Sequence, residues 1–230
     1  MSDYQRYAVY WTPERGSALA RFGAEWLGWD AEEGVAPRHP DVPGLPVPAA
    51  ELAAVPRHYG FHATLKAPFR LRAGETANDL ANLVATLAAE EKAFMLPQLK
   101  IAALGPFLAL VPSRPCPKID ELAARCVRRF DGFRAAMDEA ERKRRIVGLD
   151  AMGTVLLDRW GYPFVFERFR FHLTLTGPLT ERLREETATA LSPVLAPILA
   201  QRQRISEICL FGEPEAGPFR LLRRFPFGHS

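Results

Sequence analysis

Cysteine is scarce. The 230-residue chain has three, Cys116, Cys126 and Cys209, with no CxxC spacing between them. An odd count without such spacing excludes a disulfide framework and a cysteine-based metal site. No apolar run is long enough to span a bilayer, and the start, MSDYQRYAVYW, lacks the apolar core of a signal peptide. A cytoplasmic location without a membrane partner is therefore expected. Charge of either sign is not in excess: 30 Lys and Arg against 27 Asp and Glu leave a net +3. That balance admits a small anionic ligand and argues against a nucleic-acid wrapper. Hydrophobic residues make up 48% of the chain, enough for one large domain or two small lobes. There are five histidines, and no acidic cluster stands beside them.

Two of the five occur in one repeated pattern. His62-Ala63-Thr64 lies in GFHATLKAPF and His172-Leu173-Thr174 in FRFHLTLTGP, 172 − 62 = 110 residues apart. Each tripeptide has phenylalanine before it and leucine after it, giving Phe-His-x-Thr-Leu twice, and each is followed by a proline, Pro68 or Pro178. From Arg168 to Thr176 polar and apolar residues alternate strictly, the period of a half-buried strand. Strands are predicted over His58–Arg70 and Tyr162–Thr176, placed next to each other at the centre of the fold. Side chains at i and i+2 share a face. Two imidazoles and two hydroxyls are then offered to one cleft. On that parity His58 and Lys66 join His62, while Arg170 and Thr176 join His172.

Around these segments the pattern predicts a strand over Tyr4–Trp11 and a helix over Ser17–Trp29 capped by Ser17. A further helix is predicted over Ala77–Lys92 with Thr76 as its cap. A hairpin over Leu99–Val111 turns at Gly105-Pro106. One long helix is read from Ile119 to about Arg144, with the Arg142–Arg145 run as its solvated, dipole-complementing end. A short helix over Ala151–Arg159, a helix over Glu181–Leu199 and strands over Ile205–Phe211 and Phe219–Phe225 complete the chain. Residues 36–56 carry Pro37, Pro40, Pro43, Pro46, Pro48 and Pro56, a density that rules out a regular helix or central strand. A segment of that length is either a cleft rim or lid, or a plain surface loop. The order of elements indicates an α+β fold with antiparallel sheets. It reads as a single bilobed domain over 1–230, with pseudo-symmetric halves near 1–115 and 116–230.

The paired tripeptides resemble those of the two-histidine (2H) phosphoesterase superfamily. The stretches YGFHATLKAPF and FRFHLTLTGPL are most similar to the branch associated with bacterial phosphonate metabolism. The resemblance implies a duplicated bilobed fold whose antiparallel sheets line a central cleft, with helices outside. It also implies a metal-independent cyclic phosphodiesterase without a cofactor. The residue chemistry is consistent with that. An imidazole donates or accepts a proton near neutral pH, so His62 and His172 suit an in-line displacement as base and acid. Thr64 and Thr174 supply donors to the non-bridging oxygens, where charge accumulates.

Lys66 and Arg170 are candidates for adding charge stabilisation, with Thr176, His58 and Tyr59 as further substrate contacts. Each has a plainer reading. Tyr59 falls on the apolar parity and serves as core by default. His58 at a strand end is read as solvated, and His39 and His229 as incidental. The substrate implied by the family is a small cyclic phosphoribosyl metabolite of phosphonate degradation. Within the same class stands an RNA-end 2′,3′-cyclic phosphodiesterase or 2′-5′ ligase. A non-catalytic nucleotide-binding module is the reading from another class. The sequence does not distinguish which histidine is base, nor does it give an oligomeric state.

Overall fold

In residues 4–228, which a computed structural model describes, the opening strand forms over Arg6–Trp11 (β1). His229 lies outside the described residues. Alternation along β1 sorts its side chains. Tyr7, Val9 and Trp11 enter the main core, whereas Ala8 and Tyr10 join a smaller cluster with Trp29, Cys209, Phe211 and Phe219. The helix α1 (Ala18–Leu27) starts where the Ser17 hydroxyl accepts from the Ala20 amide. The proline-rich stretch that follows ends in two short helices, α2 (Ala49–Leu52) and α3 (Ala54–Arg57). Next come β2 (Ala63–Phe69), α4 (Ala77–Glu90) capped by Thr76, and β3 (Phe94–Met95). The hairpin is β4 (Leu99–Leu104) and β5 (Phe107–Pro112), turning at Gly105-Pro106. The second half contains α5 (Pro117–Phe130), α6 (Glu139–Arg145), α7 (Ala151–Trp160), β6 (Leu173–Thr174) and α8 (Glu181–Leu199). It closes with β7 (Arg204–Ile205), β8 (Glu207–Glu213) and β9 (Arg220–Pro226).

The fold is α+β with antiparallel pairing throughout the named strands. One sheet has the order β2-β1-β8-β9, another β4-β5-β6, and β3 pairs with β7. Each of the two larger sheets draws strands from both halves of the chain, so neither is made from one sequence half alone. Helix α4 packs against β8 and β9 and buries Leu80, Val84 and Leu87. Each such side chain contributes about 1.5–3 kcal/mol.

Three expectations change. The motif strands are not central neighbours: β2 and β6 are edge strands of two different sheets. Nor do they reach as far as alternation suggested. Residues 58–62 form a turn after α3, with Gly60 at φ +75°, and the ladder begins only at Ala63. On the other side only Leu173–Thr174 pairs with β5. Pro163 removes a ladder donor there, and Phe166, at φ 53°, enters a 3₁₀ turn over Phe166–Arg168. That turn lets Phe166 meet Trp160 edge-on at 5.1 Å and lie beneath Arg128 at 4.8 Å. Third, the long helix breaks at Asp131-Gly132. The chain then runs back along the end of β2, where Ala135 N donates to Arg70 O at 2.8 Å, before α6 begins.

Candidate active site

His62 sits at the mouth of β2. Gly60 makes the preceding turn in the left-handed region, where a Cβ would also fall 3.0 Å from that of Ala31. The turn brings the Gly60 carbonyl to His62 Nδ1 at 2.9 Å. Nδ1 is thereby assigned as the N–H donor, leaving Nε2 as acceptor for the Thr64 hydroxyl at 3.1 Å. Cross-strand register sets Tyr10 opposite Thr64, and the Tyr10 ring stacks on His62 with centroids 3.7 Å apart and planes at 23°. His172 repeats the backbone device at the mouth of β6. Its Nδ1 meets the Arg170 carbonyl at 2.7 Å. Its neighbour is Phe107, tilted at 5.8 Å, and the Thr174 hydroxyl has no hydrogen-bond partner among the described residues.

His62, Thr64, His172 and Thr174 line one cavity of about 480 Å³. Burial lowers the pKa of His62 to about 4 against the favourable contact to Gly60 O, and the nearby His172 lowers it further. Burial lowers His172 as well, opposed by its bond to Arg170 O. Both imidazoles are thus neutral at pH 7 with Nε2 unprotonated, so that each can accept a proton there and donates from Nε2 only after taking one up. Among the described residues no group of three or more His, Cys, Asp or Glu is placed to hold a metal ion. No helix there is long and apolar enough to cross a membrane.

The flanking residues distribute differently from the parity expectation. Tyr59 lines the cavity. Lys66 does not. β2 changes register against β1 between Thr64 and Lys66 and again before Phe69, and such bulges reverse which face a side chain takes. Lys66 is consequently 3% exposed and donates to Asp131 Oδ1 at 2.9 Å and Val127 O at 3.3 Å. Thr176 is buried; its hydroxyl donates to Gly177 O at 2.8 Å and accepts from Leu108 N at 3.0 Å, closing the end of β6. Arg170 donates to the Glu167 and Phe169 carbonyls, because residues 166–172 curl and never enter a ladder. It lines a separate apolar groove of about 460 Å³ with Phe107, Phe164 and Phe166. That groove meets the cavity at Thr64, Ala67, Tyr162 and His172.

His58 is set back from the cavity. Its Nε2 meets Glu213 Oε1 at 2.8 Å, and Arg6 grips the same carboxylate with two nitrogens. Burial pushes the Glu213 carboxyl up, but these bonds outweigh it and hold it below the usual range. No residue of 36–56 lines the cavity; Leu52 there is fully buried and its carbonyl takes the Gly177 amide at 2.8 Å. Val42, Ala49, Leu52, Ala53 and Pro56 anchor the stretch in buried positions, and most of its other residues face solvent or are half-buried.

Among the lining residues that escaped the sequence reading are Arg6, Tyr10, Glu141, Arg144, Arg145 and Tyr162. The basic run at 142–145 carried the signal for two of them. It was obscured by extending one helix through Asp131-Gly132, a dipeptide that breaks helices.

The model of a family described as a protein of unknown function (DUF1045) matches residues 64–220. The chain is 43% identical over 176 residues, 76% of its length, to ribose 1,5-bisphosphate phosphokinase PhnN of Janthinobacterium sp. (strain Marseille). It is 36% identical over 220 residues, 95% of its length, to the protein of the same name in Laribacter hongkongensis (strain HLHK9). The matches cover 39% and 51% of those relatives, so the chain spans about half of their length or less. Solved structures of E. coli LigT complexed with 3′-AMP and with NADP+ align over 98% of this chain and 99% of theirs. Their identities are 15% and 16% and their TM-scores 0.42 and 0.43.

Proposed function

We propose that this chain, which belongs to the family described as a protein of unknown function (DUF1045), is a two-histidine phosphoesterase hydrolysing a cyclic phosphate or related phosphodiester. One observation carries the reading. Two His-x-Thr tripeptides from different sheets face one cavity, each with Nδ1 tied to a carbonyl two residues back, so that Nε2 is the unprotonated nitrogen. A binding module has no use for two matched titratable groups held in that way.

His62, the more strongly depressed of the pair, is the base. Its Nε2 takes a proton from water as the water oxygen bonds to phosphorus. His172, once protonated, donates to the leaving ester oxygen as the opposite P–O bond breaks. The product is a phosphomonoester bearing a free hydroxyl, and solvent exchange returns both rings to their starting states. The Thr174 hydroxyl, and that of Thr64 once substrate draws it off His62 Nε2, donate to the non-bridging oxygens, where one such donor is worth about 10²–10³ in rate when fully used. No step calls on a metal or a cofactor, since the imidazoles perform both transfers.

A small cyclic phosphoribosyl compound, as in phosphonate degradation, fits the size and polarity of the cavity. A second reading, the RNA-end 2′,3′-cyclic phosphodiesterase or 2′-5′ ligase, is favoured by the apolar groove beside His172, whose Phe107 and Phe164 would accept a nucleobase. The test is hydrolysis of a panel of sugar and nucleoside cyclic phosphates, with and without chelator. Turnover that survives chelator and is lost in His62→Ala and His172→Ala is expected. Strict dependence on an added divalent ion, or tight nucleotide binding with no turnover, would overturn the mechanism.

A further inference from the structure

We propose that the tyrosine- and arginine-lined arm of the histidine cavity is a subsite for a second, non-reacting phosphate of the substrate; this rests on the phosphoesterase reading above. Six side chains build the arm: Arg6, Tyr10, Tyr59, Arg144, Arg145 and Tyr162, all lining the same cavity as the histidines. Against three arginines the lining has one carboxylate, Glu141, already engaged by Arg70 at 2.7 Å and Arg145 at 3.2 Å. In the basic run of α6, Arg142 pairs with Asp158, Lys143 with Glu139 and Arg145 with Glu141. Arg144 alone has no carboxylate among the described residues, and it is the one of these neighbours, with Arg145, that lines the cavity.

A second, independent observation is Tyr10. Its residue is fully buried and its hydroxyl lacks any hydrogen-bond partner. Buried polar groups are normally satisfied, and leaving one orphaned costs about 1–3 kcal/mol. Burial, with Tyr59 and Tyr162 nearby, keeps the Tyr10 phenol protonated, so it remains a donor. An unsatisfied phenol donor and an uncompensated guanidinium together suit a phosphomonoester, which carries about −1.5 to −2 charges and three strong acceptors. Arg6 and Arg145 are held in place by Glu213 and by Glu141 with the Gly161 carbonyl at 2.8 Å, so the arm is formed in advance. A cavity of about 480 Å³ exceeds what one phosphodiester needs and accommodates a pentose-sized frame carrying phosphate at both ends. The PhnN relatives are named for such a compound, a ribose bisphosphate.

The probes are ribose 5-phosphate, for binding by calorimetry, and ribose cyclic phosphate with and without a 5-phosphate, for kinetics. Wild type is expected to bind ribose 5-phosphate and to favour the 5-phosphorylated substrate through KM. In Arg144→Ala, an exposed position that leaves the core intact, both the binding and the preference should fall about tenfold or more, with partial rescue by Arg144→Lys. If both cyclic substrates turn over equally and Arg144→Ala changes neither the ratio nor ribose 5-phosphate binding, the subsite is wrong while the phosphoesterase stands. If neither is hydrolysed but ribose 5-phosphate binds and Arg144→Ala weakens it, the subsite stands and the phosphoesterase reading falls. A 5-carboxylate analogue bound as tightly as the 5-phosphate would overturn the choice of phosphate.

Discussion

His62 lies flat against Tyr10 at 3.7 Å and accepts from its own threonine, whereas His172 leans on Phe107 at 5.8 Å and leaves Thr174 unbonded. The tripeptides are the same, and so is the tether from Nδ1 to a carbonyl two residues back. What differs is what covers the ring. Burial disfavours the imidazolium; it lowers His62 to about 4, with the nearby His172 adding to the fall, and it lowers His172 in the same direction. Repetition in sequence therefore supplies two like groups, and the fold sets them in unlike surroundings.

The largest effect comes from removing either ring. His62→Ala and His172→Ala should each cost about 10²–10⁴ in turnover, with both variants keeping wild-type melting. The double variant should lose less than the product of the two, because groups that serve one displacement act as a unit. Multiplicative losses would mean that the rings work independently and would break the pairing. Next in size, Thr64→Ala and Thr174→Ala should each lower kcat by about ten- to a hundredfold, below the full value of an oxyanion donor. Thr64→Ala should in addition shift the acid limb of the pH profile, since of the two threonines only Thr64 bonds a histidine nitrogen. An equal shift in Thr174→Ala would erase the asymmetry.

The pH profile tests the covering ring itself. Below about 4 His62 takes up a proton and ceases to be a base. His172 must be protonated to act as acid, and burial holds its pKa below the usual 6.5, so activity falls as pH rises through that lower value. The kcat/KM bell of the free enzyme should lie on the acid side of 6.5, reporting apparent values of the coupled pair. Tyr10→Phe keeps the stack and should leave the acid limb in place. Tyr10→Leu admits water beside His62 and should move that limb upward by about one pH unit. A bell centred above pH 7.5 in wild type, or identical limbs in the two Tyr10 variants, would remove Tyr10 from the account.

Much of this was legible in the chain. The caps at Ser17 and Thr76, the Gly105-Pro106 hairpin and the α+β order follow from local chemistry that tertiary packing did not override. The four tripeptide residues that share the cavity are legible too, because each His-x-Thr sits on a short stretch where i and i+2 do project together. The failures share a cause. Strand parity was carried past the points where the backbone leaves the ladder: Gly60 upstream of His62, the register change downstream of Thr64, and the Phe166 turn before His172. Two of those breaks go with long-range contacts, Phe166 on Trp160 and Lys66 on Asp131, which no local window contains.

The smallest effect on turnover is expected at the basic residues that flank the two motifs, and it separates them from the site. Lys66 is 3% exposed and paired with Asp131, which also binds Arg134 and Arg159. Burial lowers the Lys66 pKa, and the Asp131 contact restores it in part, so the ammonium depends on that partner. Asp131→Ala would strand a buried cation and should cost about 3 kcal/mol or more, a fall in Tm of roughly 6–12 °C for a chain of this size. Lys66→Met leaves Asp131 with two arginines and should destabilise less. In both variants kcat/KM per folded molecule should stay within about twofold of wild type, as in Arg170→Ala, whose guanidinium is spent on backbone carbonyls. Calorimetric melts alongside kinetics at a temperature well below the transition would read the two effects apart. A tenfold loss of kcat/KM in Lys66→Met with melting unchanged would return this lysine to the phosphate and make the two motif strands alike after all.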